Sequence, residues 1–361
     1  MFKRFLPLAA LAAFLNACGG RSDEQPVPAL SGSQEKQIDD YVAAQMASQH
    51  VPGLSLVVTR SGVPVLAKGY GMADIGSATP ARKQTVYRIA AVSQQFAAAA
   101  VLLLAQDGKL SLDQHFAQYF PVAPAAWQDI TIRQLLQHTA GLQRDFQAYD
   151  PTHQYTANEL VQLMGAIPMQ SAPGAAHSDS NMGYYLVGLL IERVSGKPYA
   201  DFMRERIFQP LNMDSAGLMT ATLAPYQIAS GYDWNGVAWL RDDAILPGDD
   251  GAGGGLRMSA MDLAQWDAAL DTDRILSQAS RDLLWTPTRL NDGSTVPHGL
   301  GWLLDSVNQQ PLMWQHGQTS GFHAQLARYA GSGLTVIVLC NLGDGQPELI
   351  AAGVAERAVV Q

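Results

Sequence analysis

The chain has 361 residues, of which 47% are hydrophobic and 15% charged, so it holds enough apolar material for a substantial globular core. Its formal net charge of −9 at pH 7 argues against a nucleic-acid partner, because phosphate binding needs a basic surface. The sequence shows no internal repeat and no pattern that implies a cofactor.

The first 17 residues have the composition of an export signal. Two basic residues precede an apolar run over 5–15 that is too short to cross a bilayer as a mature helix. The following Leu15-Asn16-Ala17-Cys18 resembles a bacterial lipoprotein box. We therefore expect loss of residues 1–17, a lipid on Cys18 and a polar tether over 18–32. The alternative is an ordinary cleaved signal peptide followed by a chance cysteine.

A lipid on Cys18 would have two further consequences. Gly19, rather than an aspartate, follows it, which favours the periplasmic face of the outer membrane. Cys340 would be left without a partner for a disulfide, and its apolar strand predicts a buried, unreactive thiol. Loss of residues 1–17, which hold two cations and no acid, would lower the net charge from −9 to −11.

Beyond the tether, the pattern predicts a helix from Ser33, as its N-cap, to Ser48, and then a hairpin that turns at Ser61-Gly62. The middle of the chain reads as helical, and strand patterns return near the C-terminus. The further predicted elements are strands 54–60 and 63–70, helices 91–106, 184–195 and 200–207, strands 300–305, 312–316, 325–330 and 334–342, and a helix over 347–359.

This order predicts an α/β fold interrupted by a helical part. The early hairpin and the late strands must share one sheet, so residues 33–85 and about 230–361 would form the α/β part. Residues from about 86 to 229 would form the helical part.

Segments spread from about residue 36 to the C-terminus resemble a single family. They are Pro52-Gly53-Leu54-Ser55, Ala67–Asp74, Leu135-Leu136-Gln137-His138-Thr139-Ala140-Gly141-Leu142, Gly253–Leu263, Arg328-Tyr329 and Val336–Leu342. In this order they are similar to the serine β-lactamase and penicillin-binding-protein family. The resemblance implies a β-lactamase/transpeptidase-like fold: an antiparallel sheet flanked by N- and C-terminal helices, plus an inserted helical domain.

The nucleophile motif of that family is changed in this chain. Residues 87–96 read Tyr-Arg-Ile-Ala-Ala-Val-Ser-Gln-Gln-Phe, where the family usually reads Phe-Arg-Ile-Gly-Ser-Val-Ser-Lys-Gln-Phe. In its Ser-x-x-Lys signature a serine attacks a carbonyl and a lysine helps to remove the proton. Here Ala91 has no nucleophilic atom, and the amide of Gln94 cannot take a proton at neutral pH.

Two further motifs are changed in the same way. Residues 177–184 resemble Phe-Ser-Tyr-Ser-Asn-x-Gly-Tyr, with Asp179 in place of the tyrosine general base while Asn181 is kept. Residues 314–322 resemble the strand that carries Lys-Thr-Gly or His-x-Gly. Gln315 then takes the Lys/His place and Gly317 keeps the glycine, whereas a loop shorter by one residue would make His316 the motif histidine.

No other register restores the motif. Ser93 lies about 200° round the helix from Ala91 and therefore points elsewhere. The literal match from Ser33 to Lys36 lies beside the polar tether, where a helix cap is the simpler reading.

Backbone donors survive side-chain replacement. The resemblance implies an oxyanion hole made by the N–H groups of Ala91 and Gln318, which would still bind a carbonyl or carboxylate. Asn181 would still offer its amide, and His316 would lie beside the ligand. The alternative is that Asn181 and Gly317 only maintain loop and strand geometry.

Replacement chemistry would need new groups. Asp179 and His316 would form an acid–histidine pair, with the nucleophile drawn from Ser178, Ser180, Thr319 and Ser320. A metal site would draw on His177, Asp179, Asp249, Asp250 and His316. Asp249 and Asp250 fall in a segment typical of solvated loops, and we expect His138 and His177 to make structural hydrogen bonds.

We therefore expect a lipid-anchored, catalytically inactive member of this family that acts as a periplasmic binding or scaffold protein. Its ligand would be a cell-wall peptide or another acyl or carboxylate compound. The alternative is an active serine hydrolase of the β-lactamase, esterase or D-Ala-peptidase type with a rearranged site.

Overall fold

The structure is a computed structural model that describes residues 29–146, 153–219, 227–245 and 251–359. The predicted signal sequence and Cys18 lie outside these ranges, as do Asp249 and Asp250. Within the described ranges, no helix combines the length and apolar character that a membrane crossing needs.

A seven-stranded antiparallel sheet forms the centre of the molecule. Its strands in spatial order are β11 (Leu303–Val307), β12 (Gln310–Thr319), β13 (Phe322–Tyr329), β14 (Leu334–Cys340), β1 (Gly53–Arg60), β2 (Val63–Asp74) and β3 (Thr79–Pro80). Because β1 pairs with both β14 and β2, one sheet joins strands from the two ends of the chain. This confirms the predicted α/β fold with strands from both ends.

Nine helices are described. They are α1 (Gly32–Gln49), α2 (Ser93–Gln106), α3 (Ile132–Leu136), α4 (Ala157–Gly165), α5 (Asn181–Ser195), α6 (Tyr199–Met203), α7 (Ala260–Ala269), α8 (Gln278–Leu284) and α9 (Pro347–Ala358). Helices α1 and α9 contribute to the apolar layer on one face of the sheet, and α2 and α7 to the layer on the other.

Strand β1 explains why the sheet is apolar on both faces. Leu54, Leu56 and Val58 pack toward α1 and α9, whereas Val57 belongs to the larger core on the opposite face. Alternate side chains of a strand point to opposite faces, so a continuous apolar run covers both. Each fully buried Val or Leu contributes about 1.5–3 kcal/mol.

Short strands that the sequence did not predict complete the fold. They are β4 (Val86–Arg88), β5 (Gly217–Leu218), β6 (Tyr232–Trp234), β7 (Trp239–Arg241), β8 (Leu256–Ser259), β9 (Thr288–Arg289) and β10 (Thr295–Val296). Strands β4, β8 and β5 form a three-stranded sheet that holds Arg88, three residues before Ala91, against Arg257.

Several predicted boundaries were wrong for local reasons. The cap of α1 is Ser31 rather than Ser33, because the Ser31 hydroxyl accepts from the Gln34 N–H at 3.2 Å while the Gln34 side chain accepts from the Ser31 N–H. Helix α5 begins at Asn181 because the Ser180 hydroxyl accepts from the Gly183 N–H at 2.9 Å.

Two other differences concern helices that change type. The predicted helix over 91–106 begins as a 3₁₀ turn at Ala90–Val92, and α2 proper starts at Ser93. The predicted helix over 200–207 divides into α6 and a π-helical turn at Arg204–Phe208. The late strands keep the predicted order, although β12 and β13 are longer than the pattern indicated.

Candidate active site

A cavity of about 200 Å³ lies where the start of α2, the start of α5 and strand β12 meet. We call it the cleft. Its walls bring together every residue that the sequence singled out for ligand contact or as a changed motif position. The lining residues are Ala90, Ala91, Gln94, His138, Arg144, Asp179, Asn181, Gly253, Gly254, His298, Leu303, Gln315, His316, Gly317, Gln318 and Thr319.

Gly317 brings β12 against the turn that holds Ala91. A Cβ atom at position 317 would lie 2.6 Å from the Ala91 nitrogen and 2.3 Å from the Ile89 oxygen, closer than real Cβ atoms approach backbone. Any side chain there would therefore push the strand away from the turn. Gly317 maintains the geometry of the cleft, and the backbones of Ala91 and Gln318 both line it.

The strand alternation distinguishes Gln315 from His316, the two candidates for the Lys/His position. Gln315 lies two residues before Gly317 and so shares its face of β12. It is buried, with its Nε2 atom 3.4 Å from the Gly301 oxygen. His316 points to the other face, where its Nδ1 atom lies 3.3 Å from His323 Nε2. This geometry favours Gln315 as the counterpart of the motif residue.

His138 joins the two changed motifs. Its Nδ1 atom accepts from the Ser180 N–H at 3.0 Å, so its proton is on Nε2, which donates to Gln94 Oε1 at 3.1 Å. Its carbonyl accepts from the Ser178 N–H at 2.9 Å. Burial holds the pKa of His138 well below its usual value, so the ring is neutral at pH 7. These contacts fit the structural role predicted for this histidine.

Two more histidines pack against His138. The ring centroids of His138, His177 and His298 lie 4.9–5.9 Å apart. Burial, with a smaller contribution from His177, lowers the pKa of His298 to about 4, and burial also lowers that of His177. The Nε2 atom of His177 is buried without a hydrogen-bond partner in the described chain, so its predicted structural hydrogen bond is missing at that atom. No motif in the sequence indicated His298.

The mouth of the cleft carries charge. Asp179 is exposed, and no hydrogen bond or ion pair joins it to another described residue. Asn181 donates from Nδ2 to Asp145 at 2.7 Å, and Asp145 lies 3.8 Å from Arg144. Arg144 also lines the cleft, and no motif in the sequence indicated it.

Two of the serines considered as replacement nucleophiles, Ser178 and Ser180, have hydroxyl groups engaged elsewhere. The Ser180 hydroxyl donates to the Gln143 carbonyl at 2.6 Å, and that of Ser178 donates to Gln170 at 3.2 Å. Ser93 is fully buried and accepts from the Leu256 N–H. Among the described residues that line the cleft, Thr319 carries the only hydroxyl group.

The described residues form neither the acid–histidine pair nor the metal site considered above. Asp179 and His316 both line the cleft, yet no ion pair joins them in the described ranges. Of the metal candidates, His177, Asp179 and His316 are described, and no group of three or more potential ligands in those ranges is placed to hold a metal ion.

An antiparallel sheet, a helical insertion and a cleft between them, where a 3₁₀ turn meets a sheet strand, are the features of the β-lactamase/transpeptidase-like fold. The family comparison agrees: residues 38–361 match the Beta-lactamase family, and the chain belongs to it.

Two curated relatives and one solved structure illustrate the likeness. The chain is 28% identical over 316 residues to penicillin-binding protein 4* of Bacillus subtilis (strain 168), covering 82% of this chain and 69% of that protein. It is 24% identical over 326 residues to Protein flp of Staphylococcus aureus (strain MW2), covering 87% of this chain and 64% of that protein, which is less than two thirds of its length.

The solved structure is D-amino acid amidase from Ochrobactrum anthropi SV3 complexed with L-phenylalanine amide. It superposes with a TM-score of 0.75 at 28% identity, and the match covers 90% of this chain and 96% of the amidase. The β-lactamase/transpeptidase-like fold expected from the sequence is thereby confirmed.

Proposed function

We propose that this protein is a non-hydrolytic member of the Beta-lactamase family that binds an acyl or carboxylate ligand in the cleft. The proposal depends on Ala91, which stands at the nucleophile position of the family motif and lines the cleft. The same cleft is lined by the other motif positions, so the site is assembled but has no nucleophile there. Removing the nucleophile of a catalytic unit costs on the order of a millionfold in turnover and leaves binding largely in place.

The residue at the lysine position supports the same conclusion. Gln94 is buried, and its Oε1 atom is held by the Nε2–H of His138. A neutral amide in this setting cannot accept a proton, so a serine restored at position 91 would still lack its base. Two independent changes therefore act against hydrolysis.

The ligand class follows from the walls and from the relatives. Backbone N–H groups at Ala91 and Gln318 suit a carbonyl or carboxylate oxygen. One relative is a penicillin-binding protein and another structure is an amidase with an amino acid amide bound. We propose cell-wall peptides ending in D-alanine as the ligands to try first.

We also propose that a lipid on Cys18 holds the protein on the periplasmic face of the outer membrane. Cys18 closes the lipoprotein-like box, and a polar tether follows it. This location would place the cleft close to the cell wall, where D-alanine peptides occur.

A titration with a D-Ala-D-Ala peptide, followed by NMR, tests the binding proposal. We expect affinity in the micromolar to millimolar range, about 4–8 kcal/mol, with shifts at Ala91, Asn181 and Gln318. Asn181→Ala should weaken binding, and Ala91→Leu should weaken it more by filling the cleft. If no peptide, β-lactam or simple carboxylate perturbs these residues, the cleft does not bind ligands and the proposal is wrong.

A further inference from the structure

Asp179 is an unpaired carboxylate in the wall of the cleft. It replaces the tyrosine of the family pattern, and it makes no hydrogen bond or ion pair with any described residue. An ionised carboxylate only accepts hydrogen bonds, whereas a tyrosine hydroxyl can also donate one. Position 179 therefore suits a cation or a hydrogen-bond donor of the ligand.

The backbone around Asp179 is held in place. The N–H groups of the residues on either side, Ser178 and Ser180, both donate to His138, at 2.9 Å to its carbonyl and 3.0 Å to its ring. His138 is itself buried within the fold. The carboxylate therefore stands on a segment that loses little conformational freedom when a ligand binds.

The charged and titratable groups around Asp179 do not neutralise it. His177 and His298 have pKa values lowered by burial, so both rings are uncharged at pH 7. Arg144 lines the cleft and lies 3.8 Å from Asp145, no ion pair joins it to Asp179 in the described ranges, and no lysine lines the cleft among the described residues. The negative charge at this wall is therefore available to a ligand.

Another wall of the cleft offers donors instead. The Oε1 atom of Gln94 accepts a hydrogen bond from His138. The amide N–H groups of Gln94 make no hydrogen bond within the described ranges, so they can donate to a ligand. The backbone at Ala91 lies beside them. The cavity of about 200 Å³ is smaller than the roughly 300–1,000 Å³ of sites for drug-sized molecules. The cavity therefore fits one compact part of a ligand that carries both a cationic group and a hydrogen-bond acceptor.

We infer that Asp179 binds a protonated primary amine of the ligand, so that the cleft selects acyl compounds that carry a free amino group. This inference rests on the proposed binding function and names its ligand class. The amino group would be held by the Asp179 carboxylate, and the acyl oxygen by the donors at Gln94 and Ala91.

A matched pair of probes tests the inference. D-Phenylalaninamide and 3-phenylpropanamide differ only in the amino group, which is protonated at pH 6.5, below the ordinary α-amino pKa of about 8. We expect the amine to bind about tenfold more tightly, as charge-assisted hydrogen bonds do. Asp179→Asn should reduce it to the affinity of 3-phenylpropanamide. Asp129→Asn makes the same change at an exposed carboxylate that does not line the cleft, and should leave the tenfold preference intact.

The outcomes separate the two proposals. Equal binding of both probes to the wild type and to Asp179→Asn would overturn the amine inference while the binding function stands. If Asp129→Asn also lost the preference for D-phenylalaninamide, the amine inference would be overturned, because the preference would then arise from the overall negative charge of the protein. If neither probe and no D-Ala-D-Ala peptide binds in the cleft, the proposed function itself fails.

Discussion

At the scale of single residues, Ala90 carries backbone strain. Its φ of 43° lies in the left-handed region, and the family pattern has glycine at this position. A left-handed conformation costs a residue with a Cβ atom roughly 1–2 kcal/mol, which glycine does not pay. The strained turn places Ala91 against Gly317 in the cleft, so the strain lies at the candidate site.

Ala90→Gly should leave the free energy of unfolding unchanged or raise it by up to about 1 kcal/mol, because relief of strain offsets the lost methyl contacts and the added freedom of the unfolded chain. Ala97→Gly, inside α2, is the matched control and should lose about 1 kcal/mol or more. Urea denaturation measures both. An equal loss in the two variants would show that Ala90 is unstrained.

Single residues also show what the sequence could predict about the site. Ala91, Gln94 and Asp179 were found because each occupies a fixed place in a motif, and the structure places all three in one cleft. His298 and Arg144 were missed because only the folded chain brings them there. The choice between Gln315 and His316 needed the face of β12 that Gly317 occupies.

At the scale of elements, the segment before α5 and the loop after α3 are joined by hydrogen bonds from the N–H groups of Ser178 and Ser180 to His138. Periodicity predicted α5 but placed its start three residues late, and it did not predict α3. The cap at Ser180 could have been read from its residue type, but the packing of His138 beneath it is a tertiary contact. Such contacts have no periodic signal in the sequence.

The histidine cluster predicts acid sensitivity. His298 titrates near pH 4 in the folded chain against about 6.5 unfolded, so the unfolded state binds the extra proton. Stability is therefore complete above about pH 6.5 and falls as the pH drops toward 4, by up to about 3 kcal/mol from this residue. His177 lowers this pKa further, and Asp179 opposes the shift.

His298→Asn should flatten this profile. The asparagine amide can still donate to the Gly299 carbonyl, as Nδ1 does at 2.8 Å, but it cannot be protonated. Urea denaturation at pH 7.5, 6 and 5 should show a smaller loss of stability on acidification in the variant than in the wild type. Parallel profiles would mean that His298 is not buried as a neutral ring.

At the scale of the whole molecule, the fold was more predictable than the ligand. The order of the segments that resemble the family predicted one sheet built from both ends of the chain and a helical insertion between them. Each of these elements can be located by its own apolar pattern. The ligand depends on a few side chains in the cleft whose partners are set by packing. The proposed membrane attachment would depend on residues 1–18, which lie outside the described ranges.

Cys18→Ser should release the exported protein from the membrane fraction into the soluble fraction, because the lipid would have no thiol to modify. Cys340→Ser is the matched control, since Cys340 is buried within the sheet, where burial raises its thiol pKa to about 12. The control should stay with the membrane. Fractionation and immunoblotting measure both, and equal release of the two variants would contradict the anchor.

The central claim is that the cleft keeps the family's walls without a nucleophile. The most direct test is the intact mass of the purified mature protein after incubation with benzylpenicillin and, separately, with a fluorophosphonate probe. We expect an unchanged mass with both reagents, whereas an active family member treated in parallel should be fully labelled. A stoichiometric adduct that maps to Thr319 or to another hydroxyl group in the cleft would contradict it.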